Sequence, residues 1–129
     1  MSGVVVDTSV WIDFFAGRAA AALEESLAEG AVVMSPIVAA ELISGAHRPV
    51  DRAALTDLLH GLPLHDTPLA HWIRAGELRR RLKEQGISVS TPDAHVAQCA
   101  IDRNAVLLAR DVIFKKIAQF SSLRLYSGR

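Results

Sequence analysis

Gly3-Val4-Val5-Val6-Asp7-Thr8-Ser9-Val10-Trp11 reads as a strand that turns directly into a helix. The short β-branched run favours a strand. Ser9 or Thr8 then offers a capping hydroxyl for a helix reaching about Phe15, with Val10, Trp11, Phe14 and Phe15 at helical spacing. Further along, Ser35-Pro36 repeats the helix-start signal after the apolar stretch 31–34, and Ser90-Thr91-Pro92 opens another helix. Between and beyond these, the spacing predicts helices over 19–28, 36–46, 50–60, a long one from Thr67-Pro68 to about Gln85, one ending near Arg103, and one over 112–119. Strands are expected at 31–34, 105–108 and 123–126. A short edge strand is expected at 62–65, where Pro63 lacks a donor. Strands alternating with helices imply parallel pairing through crossover helices, hence an α/β fold, a three-layer α/β/α sandwich around a central parallel sheet.

The chain has 129 residues, a length suited to one domain over 1–129. A chain of this size buries enough surface to need no disulfide or structural metal. Cys99 has no second cysteine to pair with, and no zinc-ligand spacing is evident. No apolar run approaches the roughly 18 residues of a membrane span, and no basic leader precedes an apolar one. A cytoplasmic protein with no membrane attachment is therefore expected. Fourteen basic and fourteen acidic residues give a formal net charge of zero, but the balance is uneven. Residues 1–66 carry nine acids and three bases; residues 67–129 carry eleven bases and five acids.

Four acids stand in apolar settings. Asp7 follows three valines, and Asp111 follows Val106-Leu107-Leu108-Ala109-Arg110. Glu41 sits mid-helix among Ile37, Val38, Ala39, Ala40, Leu42 and Ile43, so it is expected to be buried. Asp93 opens a helix with Ala94, Val96, Ala97 and Ala100. Strand ends in such sheets point at the crevice that binds ligands, which directs Asp7 and Asp111 to one site. Each acid also has a local explanation. Asp7 could cap its helix, Asp93 could complement the helix dipole, and Asp111 could be an ordinary first-turn acid. Glu41 would need an arginine partner distant in sequence. Taken together the four point elsewhere. Carboxylates about 4 Å apart repel by roughly 4 kcal/mol per pair at an effective dielectric of 20, so a convergent cluster calls for a cation. All-oxygen ligands suit Mg²⁺ or Mn²⁺, ions that activate water and offset charge on a phosphoryl group.

Val-Val-Val-Asp7-Thr8-Ser9-Val-Trp, Ala-Ala-Glu41-Leu-Ile-Ser-Gly, Thr-Pro-Asp93-Ala-His-Val-Ala and Leu-Leu-Ala-Arg-Asp111-Val-Ile-Phe114 resemble the successive motifs of PIN-domain ribonucleases. The short length makes the chain similar to the VapC-type toxins of toxin–antitoxin pairs. The resemblance implies a PIN-like nuclease domain with Asp7, Glu41, Asp93 and Asp111 around Mg²⁺ or Mn²⁺. It places Ser9 beside them, orienting a carboxylate or a water. It also implies hydrolysis of RNA phosphodiesters to a 3′-hydroxyl and a 5′-phosphate, a homodimer, and silencing by a small VapB-type antitoxin. Two positions depart from the pattern Thr-x-Asp-x-Asp-Phe: Ala109 replaces its threonine and Ile113 its second acid. Pro92 stands where many relatives carry Asn. These departures leave a second reading, a catalytically silent PIN-like module that binds protein or RNA.

Other folds that begin with a strand and an acid fit less well. A haloacid-dehalogenase phosphatase needs a second acid at the position of Ser9, and no glycine-rich phosphate loop exists. Arg74, Arg79, Arg80, Arg81 and Lys83 read as a solvated helix face or as a phosphate-contacting patch. Lys115 and Lys116 are better placed for phosphate, and Arg110 could orient Asp111 or meet substrate. His95 is expected to be structural or at the surface, Cys99 a small buried residue, and His47, His60, His65 and His71 show no ligand pattern. Trp11, Phe14, Phe15 and Trp72 suit a core or a dimer interface better than base stacking.

Overall fold

The computed structural model describes residues 3–127. Its elements are β1 (Val4–Val6), α1 (Thr8–Phe15), α2 (Ala21–Ala28), β2 (Val32–Val33), α3 (Pro36–Gly45), α4 (Pro49–His60), α5 (Leu69–Glu84), α6 (Thr91–Asp102), β3 (Val106–Leu108), α7 (Ile113–Gln119) and β4 (Arg124–Leu125). The four strands form an all-parallel sheet in the order β2-β1-β3-β4. The register pairs Val4 with Val32 and with Val106, so β1 is central and its three valines are fully buried. Crossovers between parallel strands are right-handed as a rule, and this sets the layers. The β1-to-β2 and β3-to-β4 connections run in opposite directions across the sheet, so their helices cover opposite faces. The point where direction reverses lies between β1 and β3. Ligands of open parallel sheets bind at this place, beyond the strand ends.

The helix starts confirm some sequence signals and correct others. Ser35 caps α3, its Oγ accepting from Val38 N–H at 3.3 Å, with Pro36 in the first turn. Ser90 caps α6 in the same way through Asp93 N–H at 3.2 Å. Neither Thr8 nor Ser9 caps α1. Asp7 is the N-cap, in extended conformation and without a side-chain cap bond, which releases both hydroxyls for other partners. Thr67 does not cap α5; Pro68 holds that position with no side-chain bond. The expected edge strand at 62–65 shrinks to one parallel bridge, Met34 to Leu64. Met34 N–H donates to Pro63 O at 2.8 Å, and His65 N–H donates to Met34 O at 2.8 Å. Pro63 has no N–H to extend the ladder, so the segment stays a short staple on the β2 edge. Gly3 has φ 105 and sits where a Cβ would lie 3.1 Å from Ala31 O and from a Val33 methyl, so the entry to β1 needs glycine.

The core combines Val4, Val5, Trp11, Leu23, Val38 and Leu107 with α6, whose residues 94–100 are buried on every side. Among the described residues no helix is long and apolar enough to cross a membrane.

Candidate active site

The four acids come from four places in the chain. Asp7 leaves β1, with its N–H bonded to Leu108 O of β3 at 2.9 Å. This bond fixes Asp7 at the reversal point. Asp111 follows β3, three residues past its end. Glu41 projects from α3, and Asp93 from the first turn of α6. Each charge is felt by others. Asp7 senses Asp93 and Glu41, and Asp93 senses Asp111 and Glu41. The sheet and the two helices thus bring all four into one electrostatic cluster, as the sequence predicts. Among the described residues, none of the four forms an ion pair with lysine, arginine or histidine.

Exposure differs from expectation at one acid. Glu41 is exposed rather than buried. Helix α3 buries Val38 and Leu42 and turns Ala40, Glu41 and Ser44 to solvent, so apolar content alone overstated its burial. Asp7 and Asp93 are half-buried, while Asp111 is exposed. Burial pushes the Asp7 carboxyl above the usual carboxylate range. The Thr8 N–H opposes this, Asp93 adds to it, Ser9 opposes it, and Glu41 adds the remainder. Asp93 is also raised, first by burial and then by Asp111 and Glu41, with the Ser90 hydroxyl working the other way. A cation among them would offset the burial and the like charges that disfavour ionisation of these two acids.

Three hydrogen bonds orient the carboxylates. Ser9 Oγ donates to Asp7 Oδ2 at 3.3 Å. Thr8 Oγ1 donates to Glu41 Oε1 at 2.6 Å and joins α1 to α3 across the site. Asp111 Oδ1 accepts from Ile113 N–H at 3.0 Å, so one of its oxygens serves the start of α7. Asp111 therefore serves the N-terminus of α7 from just ahead of its N-cap Val112, which leaves the other oxygen free of that duty. Sequence reading missed Thr8. The signal was available, since Thr8 directly follows the strand-end acid, but only the fold shows that Glu41 faces it.

The donor chemistry fits a hard divalent ion: four carboxylates and no nitrogen or sulfur. Mg²⁺ keeps several of its waters and binds through few direct carboxylates, so it does not need all four as direct ligands.

Four of the arginines singled out in the sequence have other partners. Arg110 Nε pairs with Asp13 at 2.6 Å and its Nη2 donates to Ala19 O at 3.0 Å, so it ties the loop after β3 to α1 and α2 rather than orienting Asp111. Arg74 grips Asp102 with two bonds, Arg79 donates to Val89 O, and Arg80 pairs with Glu84. The solvated-face reading of α5 holds for these. Lys115 and Lys116 are exposed, form no ion pair among the described residues, and lie within five residues of Asp111.

Solved structures similar to this fold are chains of toxin–antitoxin complexes. VapBC-1 from nontypeable Haemophilus influenzae aligns with TM-score 0.78 and 25% identity, over 95% of this chain and 96% of that one. VapBC2 from Rickettsia felis, bound to a DNA fragment from its promoter, gives 0.77 and 21% over 95% and 96%. DNA-bound VapBC from Salmonella typhimurium gives 0.71 and 20% over 98% of each chain. Among curated proteins no sequence matches significantly. The PIN domain family matches residues 4–119, nearly the whole length and all four acids. With its parallel sheet and its acids gathered at the reversal point, this chain belongs to the PIN domain family.

Proposed function

We propose that the chain, acting as one PIN-like domain over 1–129, is a metal-dependent endoribonuclease and the VapC-type toxin of a toxin–antitoxin pair. The observation that carries this reading is the gathering of Asp7, Glu41, Asp93 and Asp111 at the switch point, where among the described residues none of them forms an ion pair with a basic side chain. PIN nucleases generally use divalent metals. Asp7, Glu41, Asp93 and Asp111 are the ligands for Mg²⁺ or Mn²⁺ here. Such an ion supplies water activation and charge compensation at a phosphoryl group. Ser9 holds Asp7 in one rotamer, and Thr8 holds Glu41. A carboxylate of the cluster that is not directly bound to the ion would be placed to accept the proton of an attacking water. Lys115 and Lys116 form the rim that receives RNA phosphates. The products are a 3′-hydroxyl and a 5′-phosphate.

The partners follow from the same reading. VapBC structures pair such a chain with an antitoxin, and a small VapB-type protein is the partner proposed here, together with a homodimer in the cytoplasm. An apolar hollow of about 250 Å³, lined by Val10, Ala20, Leu23, Leu108 and Ala109, opens beside Arg110 and offers a partner contact near the acids.

Asp7→Asn and Asp93→Asn are expected to lower RNA cleavage by more than about 100-fold, the upper end of what loss of an outer-shell partner costs a metal site, with circular dichroism unchanged. Wild-type cleavage in both variants contradicts the proposal. A silent PIN-like module is the second reading, favoured by Ala109 and Ile113. It predicts weak Mn²⁺ binding and no metal-dependent cleavage.

A further inference from the structure

A buried polar cluster lies on the other side of α6 from Asp93, and the nuclease reading makes no use of it. His71, His95 and Cys99 are fully buried, and His65 is 7% exposed. One ligand atom from each of His65, His71 and Cys99 lies within 4.8 Å of the other two. Both ring nitrogens of His65 are buried without a hydrogen-bond partner among the described residues. Buried polar atoms left unpaired cost about 1–3 kcal/mol each, so this ring calls for a ligand. Its backbone is held in place by the bond to Met34 O.

The neighbouring rings are set up to donate electron pairs. His71 Nδ1 lies 2.9 Å from Asp102 Oδ2. The carboxylate can only accept, so Nδ1 carries the proton and Nε2 presents its lone pair inward. Asp102 is itself fixed by Arg74 and Gln98. A carboxylate behind a histidine in this way is the usual outer-shell support of a metal-bound imidazole. Cys99 sulfur and the His95 ring, 3.5 Å apart, border the same space, and Trp72 stacks over His95 with ring centroids 4.7 Å apart.

We propose that His65, His71 and Cys99 form a structural site for a soft divalent cation, of which Zn²⁺ is the natural occupant. Two imidazoles and a thiolate match zinc and disfavour Mg²⁺ and Mn²⁺. Bonds of about 2.0–2.3 Å to zinc require the three ligand atoms to close to about 3.3–3.8 Å, a shift within reach of side-chain rotation. His95 Nδ1, now 2.8 Å from His71 Nε2, gives up that hydrogen bond and stands next to the fourth position. The Cys99 thiol, held up at about 12 by burial and then by Asp102, loses its proton to solvent as the sulfur–metal bond forms. The ion clamps the 62–65 staple on the β2 edge to α5 and α6.

The test is refolding the full chain under reducing conditions with Co²⁺, which reports thiolate ligation by a near-ultraviolet charge-transfer band. One equivalent of Co²⁺ should give that band, and Zn²⁺ should abolish it while excess Mg²⁺ does not. Cys99→Ser should lose the band, and Asp102→Asn should bind about 10–100-fold more weakly. Asp93→Asn should keep the band in full, which separates this site from the acidic one. A correctly folded wild-type chain with no band, or a band that survives in Cys99→Ser, overturns the proposal.

Discussion

Thr8 and Asp7 carry the sharpest residue-scale expectations. The 2.6 Å bond from Thr8 to Glu41 ties α1 directly to the exposed Glu41. Thr8→Val keeps the shape and removes the donor. It should lower metal affinity or cleavage by about 10–100-fold, as other outer-shell losses do, measured by Mn²⁺ titration and turnover. Asp7→Asn has a second consequence. The folded carboxyl holds its proton more tightly than in the unfolded chain, so its ionisation opposes folding. That penalty is absent below the ordinary value of 3.8, grows as pH rises past it, and is complete above the raised folded value. In EDTA, Asp7→Asn should therefore raise the melting temperature at pH 7 and leave it unchanged below pH 3.8. No gain at pH 7 contradicts the electrostatic account. Asp102 runs the other way. Burial alone would raise it, but hydrogen bonds from Arg74, Gln98 and His71 prevail and hold it at about 2, so its stabilisation is present above 3.8 and lost as pH falls towards 2.

At the scale of elements, the capping serines show how much the sequence discloses. Ser35-Pro36 and Ser90-Thr91-Pro92 announce their helices because the cap bond is local, spanning three residues. Thr67-Pro68 carries the same signal yet forms no cap bond, because the helix starts at Leu69 and puts Pro68, not Thr67, at the N-cap. Ser35 does more than cap. Its Oγ lies 2.7 Å from His95 Nε2, and His95 Nδ1 lies 2.8 Å from His71 Nε2. Ser35→Ala loses the cap and strands a buried imidazole nitrogen, so a loss of about 2–3 kcal/mol is expected in urea unfolding. A loss below about 0.5 kcal/mol shows that water replaces the hydroxyl. This chain of rings was illegible in the sequence, because its contacts join residues 24 and 60 positions apart. His95 as a structural residue and Cys99 as a buried one were legible, because their helix is apolar around them. The burial of Glu41 was misread for the converse reason. Helix α3 is apolar nearly all round, and only packing decides which side meets the core.

Across the whole molecule, alternating strands and helices made the parallel sheet readable, and strand ends made Asp7 and Asp111 readable as neighbours. The reversal between β1 and β3 converts that reading into a place. The zero net charge resolves in the same way. The first half contributes acids to the site, while Arg110, Arg80 and Arg74 of the second half are tied to Asp13, Glu84 and Asp102. Lys115 and Lys116 remain as the exposed basic pair near Asp111. Their replacement by alanine should weaken RNA binding about equally across sequences and lower the salt dependence by about 0.7 per lost phosphate contact. An unchanged salt slope places the RNA elsewhere.

The most direct measurement of the central claim is end-mapped cleavage of RNA by the purified chain, stripped with EDTA and then resupplied with Mg²⁺ or Mn²⁺. The four-carboxylate site predicts no cleavage in EDTA, restored cleavage on adding either ion, and new ends bearing a 5′-phosphate and a 3′-hydroxyl. Cleavage that persists in EDTA, or a chain that stays inert with both ions over a range of RNAs, contradicts it.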